Sequence, residues 1–151
     1  MRFYRLTMLL MLSLLALLAA PLRAEIIDID NAALERLRQQ GVPVVDIRTE
    51  AEWRDTGIVP GSHLLTLFDA SGRADPERWL AQLSRIAKPE QPLILICRSG
   101  NRTRAAARLL DKQGYRTIHN VQHGIQAWQA ERRPLQPAGA AITACHSQNR
   151  C

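Results

Sequence analysis

The chain has 151 residues, enough for one folded domain, with a formal net charge of +6 and 46% hydrophobic residues. A nucleic-acid-binding domain would cluster its basic residues beside exposed aromatic ones, whereas aromatic residues make up only 5% of this chain. Length and charge therefore argue for a single domain and against a nucleic-acid partner.

Residues 1–24 have the layout of a secretory signal peptide. Arg2 and Arg5 form a basic head, residues 6–22 carry no charge, and Pro21 and Ala24 supply a helix break and a small residue for cleavage. The uncharged stretch is near the lower limit of the roughly 20 residues that span a bilayer, so a retained anchor remains the alternative. We expect cleavage, which lowers the net charge to +3 because the segment holds three arginines and no acidic residue.

Both alternatives place the rest of the chain outside the cytoplasm. We therefore expect a periplasmic or secreted protein, with no stable membrane insertion once the signal peptide has been removed.

The chain after the signal peptide alternates between short apolar runs and amphipathic segments. In chain order we predict a strand at 26–29, a helix from 31 to 40, a strand at 42–47, a short helix at 50–55 and a strand at 63–68. A helix beginning at Pro76, a buried strand at 93–96, a helix at 102–113, a strand at 117–121 and a helix at 124–131 follow. This alternation indicates an α/β domain over residues 25–135, with a parallel sheet of about five strands and helices on both faces.

Residues 136–151 lose the periodic pattern and are predicted to form a flexible tail. The tail holds Cys145 and Cys151, and the third cysteine of the chain is Cys97. An odd number of cysteines in an oxidising compartment implies a free thiol or an intermolecular bridge. We expect Cys145 and Cys151 to pair with each other and to leave Cys97 free.

Cys97 stands where a predicted buried strand ends and a polar loop leads into a helix. Ligands of open α/β sheets bind beyond the carboxyl ends of strands, and a helix start offers unpaired N–H groups and a positive dipole end. Gly100 allows several N–H groups to converge on one point, and Arg98 and Arg102 add positive charge. We expect a nucleophilic Cys97 thiolate at the mouth of a shallow pocket. A buried cysteine with solvated arginines nearby is the competing interpretation.

Residues 97–102, Cys-Arg-Ser-Gly-Asn-Arg, resemble the active-site loop of the rhodanese family. Residues 45–48, 52–53 and 57–62 resemble the N-terminal signature of that family, and residues 120–128 resemble its C-terminal signature. The resemblance covers about residues 26–135. It implies a three-layer rhodanese-like domain.

The resemblance also implies the chemistry and the site. Sulfur would pass from thiosulfate or another small anionic donor to Cys97, which would carry it as a persulfide, and then to cyanide, a thiol or a protein acceptor. The substrate-binding residues would be Arg98, Ser99, Gly100, Asn101 and Arg102, with no cofactor and no metal. Asp46 and Arg48 match positions that shape the family site, and we expect a structural ion pair or a turn role for them rather than a direct chemical one. Ile58 and His123 stand where family members usually carry His and Gly.

Three alternatives compete with this enzyme. A cysteine-loop phosphatase or arsenate reductase needs an arginine six positions after the cysteine, where this chain has Thr103. A sulfur carrier without rapid turnover would use the same loop, so the sequence leaves this alternative open. A thiol–disulfide oxidoreductase is disfavoured because the chain has no Cys-x-x-Cys motif.

The sequence also offers no zinc site. Cys145, His146 and Cys151 are too few ligands for a closed zinc site, which needs four.

Overall fold

The computed structural model describes residues 23–148, so nearly all of the predicted signal peptide, together with Cys151, lies outside the described residues. The described residues contain five strands: β1 (Glu25–Ile29), β2 (Val44–Asp46), β3 (His63–Leu64), β4 (Leu93–Ile96) and β5 (Thr117–Val121). They also contain six helices: α1 (Asn31–Gln39), α2 (Glu50–Thr56), α3 (Pro76–Leu83), α4 (Asn101–Lys112), α5 (Gly124–Ala130) and α6 (Gly139–Ser147).

The strands form one parallel sheet in the order β1-β5-β4-β2-β3. Successive residues of β4 point to opposite faces: Leu93 and Leu95 pack with α3 and α4, and Ile94 and Ile96 pack with α1 and α5. The predicted three-layer α/β architecture is therefore confirmed, and β4 lies in the centre of the sheet.

Local capping explains where the helices begin. The Asp30 side chain accepts from the N–H of Ala33 at the start of α1, and Thr49 and Glu52 form a reciprocal capping box at the start of α2. Asp75 caps α3 by accepting from Arg78, and Pro76 is its first helical residue. These caps fix the connections that lead away from the sheet.

The third strand is shorter than predicted. Only His63 and Leu64 pair with β2, although the sequence predicted a strand over residues 63–68. Its neighbour β2 ends at Asp46, after which the chain turns to cap α2. Residues 65–68 therefore have no continuous neighbouring strand with which to pair.

The prediction of a flexible tail is wrong for Gly139–Ser147, which form helix α6. Ala138, Ile142 and Cys145 are buried against Trp53, Ile58 and Leu64, and α6 contacts β3. The helix forms because this apolar face covers an apolar patch of the domain, which compensates for the cost of ordering the segment. Within residues 23–148, no helix is long and apolar enough to cross a bilayer.

Candidate active site

Cys97 directly follows the central strand β4, at the carboxyl edge of the sheet. Its thiol is free, as the sequence predicted. The sulfur is not at the mouth of a pocket, however, because Cys97 is 0% exposed. The expectation of an open thiol is therefore wrong, since the loop after the strand folds over the side chain.

Gly100 provides the backbone contact to the sulfur. Its N–H donates a hydrogen bond of 3.1 Å to Cys97 Sγ. Gly100 has a φ of +89°, and a Cβ at this position would lie 3.2 Å from the carbonyl oxygen of Val121. A glycine is required here both for the left-handed backbone and for the close approach of the loop to the end of β5. Ser99 is half-buried and Asn101 is exposed.

Helix α5 holds the backbone carbonyls of the loop. The N–H of Ile125 donates to the Cys97 oxygen at 2.9 Å, and the N–H of Gln126 donates to the Arg98 oxygen at 3.2 Å. Gly124 makes this approach possible, since a Cβ there would lie 2.2 Å from the Cys97 oxygen. The N–H groups in the first turn of α5 have no partner within the helix, so they bind the loop carbonyls and orient the loop peptides. They do not contact the sulfur itself.

His123 precedes α5 with a φ of +60°, a conformation that glycine adopts with less strain. This is the position at which the sequence departs from the glycine usual in the family. The His123 side chain is exposed, so the departure strains the backbone without crowding the loop.

Arg102 is not a free positive charge, which corrects the expectation from the sequence. Its guanidinium donates to both carboxylate oxygens of Glu52, at 2.8 and 2.5 Å. Burial of the Glu52 carboxyl acts to raise its pKa, but the hydrogen bonds from Arg102 and Thr49 outweigh this effect and lower the pKa to about 2. The pair therefore stays ionised and ties α2 to the start of α4.

Arg98 has the opposite environment. It is exposed and lines a cavity of about 290 Å³ whose walls include Glu52, Ile125 and Gln126. Cys97 is not among the residues that line this cavity. Of the two arginines predicted to bind substrate, Arg98 is the one placed to meet an anion from solvent.

Asp46 and Arg48 form a buried ion pair, as predicted. Arg48 Nη2 lies 2.7 Å from Asp46 Oδ2, and both side chains are at most 1% exposed. The same guanidinium donates to Thr56 Oγ1 at 2.6 Å and to the Gly57 oxygen at 2.9 Å. These bonds fix the end of α2, which indicates a structural role.

Two side chains near the sulfur were not singled out as site residues from the sequence. The Thr103 hydroxyl lies 3.6 Å from Cys97 Sγ and is fully buried. It also contacts Asn120 Oδ1, on β5. A phosphatase would place an arginine at residue 103 to clamp a tetrahedral oxyanion. The buried Thr103 side chain has no positive charge and cannot bind an oxyanion in that way.

Residues 30–131 match the sequence model of the Rhodanese-like domain. The chain belongs to the rhodanese family. It is 29% identical over 108 residues to thiosulfate sulfurtransferase 18 of Arabidopsis thaliana, covering 69% of this chain and 79% of that protein. It is also 29% identical over 109 residues to the thiosulfate sulfurtransferase GlpE of Pseudomonas putida, covering 72% of this chain and 89% of that protein.

Two solved structures match the fold. The crystal structure of Rv0390 from M. tuberculosis matches with a TM-score of 0.62 and 25% identity, covering 76% of this chain and 98% of that one. The crystal structure of a rhodanese-related protein from Thermoplasma volcanium matches with a TM-score of 0.56 and 25% identity, covering 73% of this chain and 97% of that one. Helix α6 lies beyond the part of this rhodanese domain that matches the family. Among residues 23–148 there is no group of three or more His, Cys, Asp or Glu side chains placed to hold a metal ion.

Proposed function

We propose that the protein is a thiosulfate-type sulfurtransferase that carries sulfane sulfur as a persulfide on Cys97. The observation that carries the proposal is the placement of a free thiol at the end of β4, where the Gly100 N–H donates to Sγ and α5 holds the loop carbonyls. A backbone N–H directed at the sulfur stabilises negative charge as the thiol ionises.

The proposed reaction has two displacements. The Cys97 thiolate attacks the outer sulfur of thiosulfate, a new S–S bond forms, and the old S–S bond breaks so that sulfite leaves with the electron pair. A cyanide ion or a thiolate then attacks the outer sulfur of the persulfide, and the Cys97 thiolate leaves. Arg98 binds the sulfonate of the donor from the adjacent cavity.

The same loop residues would hold the persulfide. Gly100 contributes its N–H, while Ser99, Asn101 and Arg102 shape the loop around it, Arg102 through its ion pair with Glu52. The partners are a small anionic sulfur donor and a thiol, cyanide or protein acceptor, without a cofactor. We also propose that the protein acts in the periplasm or is secreted, because residues 1–24 have the layout of a signal peptide.

Mass spectrometry of the purified protein after addition of thiosulfate tests the proposal. We expect one added sulfur atom on the peptide that contains Cys97, and release of that atom on addition of cyanide. Cys97→Ser abolishes both steps, because a hydroxyl cannot form a persulfide. The matched control is Cys145→Ser with Cys151→Ser, which retains both steps; sulfur transfer by Cys97→Ser would contradict the proposal.

The complete burial of Cys97 supports a second candidate function, a sulfur carrier that delivers its persulfide to a docked protein. A small acceptor reaches a buried sulfur only after the loop moves. Loading by thiosulfate that is much faster than discharge by cyanide or a small thiol would favour the carrier, whereas comparable rates favour the enzyme.

A further inference from the structure

The cavity beside Arg98 is bounded by three elements of the fold. Its walls come from α2, from the loop after β4 and from α5, and its volume is about 290 Å³. Small-molecule sites usually measure roughly 300 to 1,000 Å³, so this cavity suits a small ligand. Four of the residues that line it carry a charge: Arg48, Glu52, Asp55 and Arg98.

Two of these four charges are already neutralised. Arg48 and Glu52 are held in the ion pairs described above. The side chains of Asp55 and Arg98 are exposed, and neither has a hydrogen-bond or ion-pair partner within residues 23–148. The cavity therefore presents one unpaired carboxylate and one unpaired guanidinium to solvent, on two different walls.

Helix α5 adds two neutral amides to the cavity. Gln126 and Gln129 lie three residues apart, so their side chains share one face of the helix, and both are exposed and line the cavity. The backbone N–H of Gln126 donates to the Arg98 oxygen, which holds this wall beside the loop. A primary amide both donates and accepts hydrogen bonds, so these side chains can bind either end of a ligand that carries both charges.

The carboxylate of Asp55 is unfavourable for the sulfur donor. Thiosulfate carries two negative charges, and a carboxylate in the same cavity repels it. In the proposed reaction, sulfite leaves before the acceptor binds, so the cavity receives the two substrates in turn. A cationic group on the acceptor would make the same carboxylate favourable in the second step.

We propose that Asp55 and Arg98 form a subsite for the charged head of an α-amino-acid thiol, so that the sulfur acceptor is a molecule of the cysteine type. Asp55 accepts hydrogen bonds from the ammonium group of the acceptor. Arg98, vacated by sulfite, donates to its carboxylate. The inference rests on the proposed function, in which Cys97 carries the persulfide, and it adds the chemical class of the acceptor.

The acceptor reacts as a thiolate, after losing its thiol proton to solvent. Its sulfur attacks the outer sulfur of the Cys97 persulfide, and a new S–S bond forms. The bond between that outer sulfur and Cys97 Sγ breaks, and Cys97 leaves as a thiolate with the electron pair. The product is the persulfide of the amino-acid thiol.

The test compares three thiols as acceptors. Cys97 is loaded with thiosulfate, the excess donor is removed, and mass spectrometry of the protein follows the loss of the added sulfur. L-Cysteine carries both charges of the proposed head, cysteamine carries only the ammonium, and 3-mercaptopropionate carries only the carboxylate. Each thiol is compared with itself across the variants, so differences in thiol pKa between the acceptors cancel.

The two charges should be separable by substitution. We expect Asp55→Asn to slow discharge by L-cysteine and by cysteamine about two- to fivefold, the effect of one ion pair in contact with water, and not to slow discharge by 3-mercaptopropionate. Arg98→Ala should slow L-cysteine and 3-mercaptopropionate but not cysteamine. Glu77→Gln is the control, because Glu77 is an exposed carboxylate on α3 that does not line the cavity, and it should change none of the three rates.

The donor provides an effect of opposite sign. Asp55→Asn should speed the loading of Cys97 by thiosulfate about twofold, because it removes a like charge from the cavity. A variant that only damaged the fold would slow both loading and discharge. Unchanged discharge by L-cysteine in Asp55→Asn, or equal slowing with all three thiols, would overturn the subsite.

A binding measurement separates the subsite from sulfur transfer. S-methyl-L-cysteine has the same charged head but no thiol, so it can bind without reacting. In an NMR titration of the resting protein, we expect it to shift the side-chain amide signals of Gln126 and Gln129, and we expect Asp55→Asn to weaken this binding. Failure of thiosulfate to load Cys97 would contradict the proposed function, whereas an absence of these shifts, or equal binding by Asp55→Asn, would contradict the subsite.

Discussion

Glu52 on α2 and Arg102 on α4 form a two-pronged ion pair across the candidate site, with oxygen–nitrogen distances of 2.8 and 2.5 Å. Both side chains are 27% exposed, so water screens the pair only partly. The carboxylate raises the pKa of Arg102 through their hydrogen bonds, and neither charge is free to bind substrate. The pair instead makes the loop dependent on the ionisation of Glu52.

This dependence predicts how stability changes in acid. The Glu52 pKa lies at about 2 in the folded protein, below its ordinary value of 4.5, so the carboxylate stabilises the fold above pH 4.5 and this contribution disappears as the pH falls toward 2. Glu52→Gln should lower the free energy of unfolding by about 1.5 to 3 kcal/mol at neutral pH. Urea unfolding at several pH values should show the two proteins converging in acid; a constant difference would contradict the assignment.

Arg98 should contribute to donor binding rather than to folding. We expect Arg98→Ala to raise the KM for thiosulfate about three- to tenfold, because one charge-assisted hydrogen bond is lost, and to leave the unfolding midpoint unchanged. Arg108→Ala is the matched control, since Arg108 is also exposed but lies farther along α4. Equal KM values in the two variants would show that Arg98 is a solvated side chain without a role in binding.

Gly124 should tolerate no side chain. Gly124→Ala combines a left-handed backbone, φ +55°, with a Cβ 2.2 Å from the Cys97 oxygen, so it displaces the loop. Gly114→Ala is the control, because Gly114 has a φ of +79° but no atom within 4 Å of its Cβ position. We expect Gly114→Ala to cost about 1 to 2 kcal/mol and Gly124→Ala at least about 2 kcal/mol more, with loss of sulfur transfer. Thermal unfolding of both variants measures the difference.

Cys145 is disulfide-bonded, whereas its predicted pairing with Cys151 stays a prediction, because Cys151 lies outside the described residues. Thiol counting under denaturing, non-reducing conditions should give one free thiol per chain, mapped to Cys97. Three free thiols in protein isolated from its native compartment would exclude the bridge. The burial of Cys145 on α6 already differs from the exposed position expected for a tail.

The sheet and most helices could be predicted because their signals are local. Apolar runs marked the strands, and Pro76 marked the start of α3 as its first helical residue. Helix α6 was missed because its surface is mostly Ala, Gly and Thr; the signal that remained is the i, i+4, i+7 spacing of Ala138, Ile142 and Cys145.

The predicted nucleophile and its loop lie in one short stretch of sequence, which is why Cys97 and Gly100 could be identified. The side chains that contact this part of the fold from other elements lie far away in the sequence. Glu52 meets Arg102 across 50 positions, and Asn120 meets Asp28 across 92 positions. Such contacts depend on the strand order and register, which no local pattern in a single sequence specifies.

Helix α6 has a consequence for how the chain tolerates truncation. Strand β3 is the outer strand of the sheet beside β2, and the Cys145 sulfur lies 3.2 Å from the backbone oxygen of its Leu64. A chain that ended before Ala138 would uncover Leu64 together with Trp53 and Ile58. An uncovered strand edge beside an apolar patch is a template for intermolecular β-pairing, so the shortened protein should aggregate even though its family domain is intact.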